Sequence, residues 1–253
     1  MKATQITLTP AIAKKLLEHN PSNRPLSHPR AKRIAESISR GEWFANGETI
    51  IVDVHGALID GQHRCLAVVI AGIPIQTLFV EGVCPDAFAT IDSGHARTDA
   101  NRFSISGEAN TSDLSSALAK LHMYTNNLSK RESLTFLQRQ NLLNEHPSMR
   151  KSVAIVNTSR VLTRSVAAAC HYISMCAHGE QFANKWMHDF IEMNFDEPMR
   201  LLARSIANAR GNQKRMVDTK WLIGITLRAI QASRKGTPIK LLRFGTEESY
   251  PVL

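Results

Sequence analysis

The chain lacks any apolar run approaching the ~18 residues that a membrane-spanning helix needs, and its longest candidate, at 65–70, is far shorter. The first residues carry no apolar stretch of the signal-peptide kind. There is no CxxC pair among the four cysteines, Cys65, Cys84, Cys170 and Cys176. There is also no internal repeat and no low-complexity segment. Together these absences point away from a membrane protein, a zinc ribbon and a solenoid. They predict a soluble, cytoplasmic protein with reduced thiols and no membrane partner. Cys170 and Cys176, with His171 and His178 nearby, fit no common zinc spacing.

What is present is an ordinary globular composition, 43% hydrophobic and 21% charged over 253 residues, enough for one large domain or two modest ones. The formal charge is +9, and it is unevenly distributed. Residues 1–107 hold 11 Lys/Arg and 10 Asp/Glu, a net of +1, whereas residues 108–253 hold 20 and 12, a net of +8. A basic second half favours an acidic partner, nucleic acid above all, over a uniformly basic surface.

Local signals divide the chain at the same place. Thr9 before Pro10 opens a helix, and the spacing predicts a second over 27–40. The β-branched run 49–54, a turn at His55 and Gly56, and the segment 57–60 read as a hairpin. A helix from near Gly61 to Ala71, stopped by Gly72, a strand over 75–80 and a short helix over 85–91 follow. Beyond residue 97 helical periodicity takes over, at 98–107, 111–126, 131–144, 148–157, 160–177, 180–194, 197–210 and 218–235. A final strand is expected at 239–244. The break at 106–110 separates an α+β domain, 1–107, from a basic α-helical domain, 108–253.

Chemistry concentrates in Asp60, Gly61, Gln62, His63 and Arg64, between a strand and a helix. A helix N-terminus presents backbone N–H groups and the positive end of its dipole. Glycine admits close approach to the backbone, and arginine offers a planar fork to phosphate. The same residues also fit an ordinary strand-to-helix turn, with Asp60 as its N-cap and Arg64 in solvent.

These residues, together with Gly41, Glu42, Trp43, Asn46, Gly47, Glu48 and Gly72, resemble the ParB/sulfiredoxin-like superfamily over about residues 5–105. The chain is most similar to the phage and plasmid proteins called ParB-like. The resemblance implies a ParB/sulfiredoxin-like fold for residues 1–107 and a nucleoside triphosphate, ATP or CTP, bound with Mg²⁺. Gly61, Gln62, His63 and Arg64, helped by Arg24, would bind that nucleotide, and Glu48 and Asp60 would take the catalytic places. Sulfiredoxins carry cysteine where this chain has Gln62, so sulfinic-acid reduction is not expected. Partition proteins carry paired arginines where this chain has His63 and Arg64, so their clamp closure does not transfer. The segment 92–97 is similar to one that closes the domain in the phage relatives.

In the second half Arg160, Arg164, Arg204, Arg210, Lys214 and Arg215 are the expected basic face, with Arg210, Lys214 and Arg215 in a polar loop suited to a phosphate backbone. A solvated interhelical turn fits that loop equally. Trp186 and Trp221 lie in apolar helical stripes and are expected in the core. The resulting expectation is a DNA-associated, nucleotide-binding protein of a prokaryotic or phage-infected cell, with homodimerisation open. The alternatives are a nuclease or phosphoryl-transfer enzyme and a non-catalytic DNA-binding regulator.

Overall fold

The computed structural model describes residues 1–21, 23, 25–90, 98–156, 159–211, 217–236 and 239–253. The chain forms two compact units, Met1–Ala96 and Arg97–Leu253. The first mixes helices with a four-stranded sheet, and the second is helical throughout its described elements. The compact units divide at 96/97, ahead of the composition break at 107/108, because the helix Asp99–Ile105 buries Phe103 in the core of the helical unit.

The first unit runs β1 (Lys2–Leu8), α1 (Pro10–Glu18), α2 (His28–Ser39), β2 (Thr49–Asp53), β3 (Leu58–Asp60), α3 (Gln62–Ala71) and β4 (Ile75–Val83). A short 3₁₀ turn, Pro85–Thr90, follows. The side chains of Thr9 and Ser27 cap α1 and α2, each accepting from the N–H three residues on. The sheet order is β1-β4-β2-β3. β4 pairs antiparallel with β1 and parallel with β2, α3 forming the crossover between β3 and β4. Leu8, Ile50, Val52, Leu58 and Ile75 on the sheet pack against Ala13, Ala35, Ile38, Cys65 and Val68 on the helices.

β1 is an addition to the elements expected from sequence. Its alternation places Thr4, Ile6 and Leu8 inward, and only pairing with β4 makes so polar a segment a strand. The β2–β3 ladder carries a bulge: Val52 faces Leu58, while Ile51 faces Asp60. A regular ladder would have set Asp60 opposite Ile50, so the bulge re-aims the residue that begins the site.

The second unit contains α4 (Asp99–Ile105), α5 (Thr111–Thr125), α6 (Phe136–Glu145), α7 (Met149–Ile155), α8 (Arg164–His178), α9 (Glu180–Ile191), α10 (Glu197–Gly211) and α11 (Thr219–Lys235). α8 is buried on every side from Ser165 to Ser174 and packs against α5, α7, α9 and α11. Trp186 is buried and stacks on Phe190, and Trp221 packs against the same core, as expected.

The segment 239–244 forms no strand, contrary to expectation. Its alternation is real, with Leu242 and Phe244 buried and Leu241 and Arg243 exposed, but it has no partner strand among the described residues. It lies instead on α11, where the Phe244 ring occupies the space left by Gly224. Arg228 pairs with Glu248, donates to the Arg243 carbonyl and places its guanidinium 5.5 Å from the Phe244 ring centroid. No helix among the described residues is long and apolar enough to cross a membrane.

Candidate functional site

Gly61 is the N-cap of α3, in the left-handed region at φ +94°. A Cβ there would run into the Ile50 side chain and stand 3.2 Å from both Ile50 Cα and the Thr49 carbonyl oxygen. The open side of this glycine is therefore filled by β2. The motif needs glycine here for the turn and for helix–sheet contact, before any ligand is considered.

Asp60 does not cap the helix; no side chain caps α3. Its carboxylate accepts from Arg64 at 2.9 Å, one helical turn on. Arg64 also pairs with Glu48 and donates to the Thr49 carbonyl. The guanidinium thus ties the start of β2, the end of β3 and the first turn of α3 together. With its side chain only 12% exposed, Arg64 is not the solvated arginine of an ordinary turn. Its Nε is buried without an acceptor among the described residues. Glu48 is the exposed member of the trio, at 59%.

Gln62 and His63 are buried, 4% and 7% exposed, and face the segment that joins α1 to α2. Gln62 Oε1 accepts from Asn20 Nδ2 at 3.0 Å. His63 Nε2 accepts from the Ser27 backbone N–H at 3.0 Å. The backbone N–H can only donate, so Nε2 is the acceptor of this bond. Asn23 donates to the Leu58 carbonyl at 2.6 Å and to Asn20, and the Leu58 N–H donates to the His19 carbonyl at 2.7 Å. Ser27 is also the N-cap of α2. The start of α2 is therefore bonded to the first turn of α3, bringing two helix N-termini together at His63.

The structure thus gathers five of the expected residues, Glu48, Asp60, Gln62, His63 and Arg64, around the turn opened by Gly61. Arg24 and the segment 92–97 lie outside the described residues. Asn20, Asn23 and Ser27 belong to the same network; the loop holding Asn23 is one expected to approach the site, whereas Asn20 and Ser27 are not evident as site residues from sequence. The Asn20, Pro21, Asn23 run and a capping serine before Pro29 are the signals that could have found them.

Two carboxylates against one guanidinium leave an excess of negative charge at this corner, which fits a phosphate accompanied by a divalent cation better than a bare phosphate. Glu48 and Asp60 are the residues that would hold Mg²⁺, an ion that one or two carboxylates and substrate phosphates suffice to bind. The described residues contain no group of three or more His, Cys, Asp or Glu arranged as a metal cluster.

Cys65, next to Arg64, is buried, and that burial pushes its thiol up to about 12. A thiol held protonated is a poor nucleophile, and it lies on the core side of α3.

In the helical unit Arg160, Arg204 and Arg210 are exposed. Arg164 is exposed too, but it pairs with Asp113 at 3.4 Å. Lys214 and Arg215 lie outside the described residues. Comparison with protein families, with curated proteins and with solved structures gives no match.

Proposed function

We propose that the first unit binds the phosphates of a nucleoside triphosphate at the start of α3, in the manner of the ParB/sulfiredoxin-like superfamily, and that the whole protein acts on or along DNA in a phage or plasmid setting. One observation carries the reading: the Ser27 N–H to His63 bond, which joins the N-termini of α2 and α3 beside Arg64. Converging helix N-termini and a fixed guanidinium make a natural anion site. The nucleotide would be ATP or CTP with Mg²⁺ on Glu48 and Asp60, and Arg64 would exchange part of its carboxylate pairing for phosphate oxygens. The association with DNA rests on the +8 excess of residues 108–253 and on the exposed Arg204 and Arg210 of α10.

The test is isothermal titration of the full chain with ATP, CTP and GTP, with and without Mg²⁺. Arg64→Lys keeps the charge and loses the fork, and should weaken binding by about 1.5–3 kcal/mol, the worth of charged hydrogen bonds. Arg64→Ala should weaken binding at least as much, but it also leaves Glu48 and Asp60 uncompensated, so its thermal stability must be measured alongside. A stable Arg64→Lys protein with unchanged affinity would remove Arg64 from the site.

A second reading, NTP hydrolysis or phosphoryl transfer, is favoured by the exposure of Glu48 beside Arg64, since a base must reach the proton it removes. Phosphate release from each nucleotide, with and without DNA, separates it from simple binding and from a non-catalytic regulator.

A further inference from the structure

The first compact unit is neutral overall, with nine Lys/Arg and nine Asp/Glu in residues 1–96. Its charges are nevertheless segregated. Residues 1–40 hold eight Lys/Arg and two Asp/Glu, a net of +6, and residues 41–96 hold one and seven, a net of −6. The positive half is the segment that builds β1, α1 and α2.

Most of the acidic half is internally engaged. Glu42 pairs with Arg40, Glu48 and Asp60 with Arg64, and Glu81 with Lys2, while Asp53 accepts two backbone N–H groups of the hairpin turn. The positive half is not balanced in the same way. Lys14 and Lys15 on α1 and Arg30 and Lys32 on α2 are exposed, and none of the four pairs with a carboxylate among the described residues. Both helices pack against α3. They turn Ala13, Ala31, Ala35 and Ile38 inward and these cations to solvent.

We propose that the outward face of α1 and α2 is a second nucleic-acid surface, binding the phosphodiester backbone without regard to sequence. The inference rests on the DNA association proposed above and places part of that association on the unit that holds the nucleotide site. Glu18 and Glu36, one turn from Lys14 and Lys15 and from Lys32, offset part of this charge, but residues 1–40 keep a net of +6 and so a local positive field on a unit of zero net charge. The partner is a polyphosphate backbone and not an anionic membrane surface. An interfacial helix carries several bulky apolar residues to insert beside its lysines, whereas α2 exposes none and α1 exposes only Ile12. α2 starts at Ser27, whose N–H holds His63, so a strand lying on α2 passes beside the phosphate site.

The test is a salt titration of binding to two unrelated 30-base-pair duplexes, followed by fluorescence anisotropy, using the full chain and the variant Lys14→Ala/Lys15→Ala/Arg30→Ala/Lys32→Ala. All four residues are exposed, so the variant should unfold at the wild-type temperature. Its log–log salt slope should be shallower by up to about 3.6, at about 0.9 for each phosphate no longer neutralised, equally for both duplexes. A slope equal to wild type overturns the inference. If Arg204→Ala/Arg210→Ala removes all of the salt dependence by itself, this surface is again overturned while the DNA association stands. Wild-type binding to phosphatidylserine vesicles without binding to duplex overturns both. Absence of salt-dependent duplex binding by the wild type also overturns both.

Discussion

At the residue scale Gly61 is the most demanding position of the site. Any side chain there must adopt a left-handed conformation and displace β2 at Ile50. Gly61→Ala should destabilise the first unit by about 1–3 kcal/mol, the range for an unfavourable backbone state in a packed position. Urea unfolding monitored by circular dichroism checks this, and a loss below about 0.5 kcal/mol would mean that the turn relaxes freely. Cys65 yields a second expectation. Burial and a raised thiol predict that it alkylates far more slowly than the exposed Cys84 and Cys176, and that Cys65→Ser leaves nucleotide binding intact. Mass spectrometry after timed iodoacetamide treatment reads the order of reaction. Prompt modification of Cys65 in the folded protein would reopen thiol chemistry.

His171 supplies a pH signature of the helical unit. It lies buried between Ser152 Oγ and Asn184 Oδ1, each 2.9 Å from a ring nitrogen. Burial holds its imidazole below the ordinary value, offset in part by the Asn184 hydrogen bond and by the nearby charge of Glu180. The unfolded chain takes up this proton as pH falls through about 6.5, and the native state does so only at lower pH. Stability is therefore full above about 6.5 and declines as pH falls through the window down to the native value. In a plot of melting temperature against pH, His171→Gln should flatten that part of the curve. An unaltered profile would assign the decline to other groups.

At the element scale, α11 and the segment that follows it depend on one another. Gly224 leaves room for the Phe244 ring, and a methyl group would overlap it. Gly224→Ala should expel Phe244, lower the melting temperature and raise the protease sensitivity of the 239–253 segment, even though alanine is the better helix former. α10 carries the expectation for DNA in the helical unit: Arg204→Ala/Arg210→Ala should reduce the salt slope by up to about 1.8, at about 0.9 for each phosphate. Most elements of both units were legible in the sequence, because caps such as Thr9 and Ser27 and a helical period leave local marks. β1 was not legible, since a polar segment becomes a strand only through a partner about 70 residues away. The 239–244 alternation misled for the converse reason: its inward residues pack on a helix. The candidate site was half legible. Its residue types marked a glycine-opened strand-to-helix turn with a basic first turn. The commitment of Arg64 to Glu48 and Asp60, and of His63 to Ser27, depends on a bulge and a packed loop that no local pattern encodes.

At the scale of the whole molecule, charge and fold are partitioned differently. The compact units divide at 96/97, and residues 97–253 hold the entire net charge of +9, yet the segregation inside the neutral first unit matters as much as the excess in the second. β4 has a further consequence, one of timing. Among the described strands it alone joins β1 to the β2–β3 hairpin, and it is the last strand of its unit to be made. Until residues 75–83 have left the ribosome, β1 has no neighbouring strand and the β2–β3 hairpin is not joined to it. The sheet that carries the Arg64 corner is thus completed in one late step. A nascent chain arrested before β4 should give up its first seventy residues to protease as freely as an unfolded peptide.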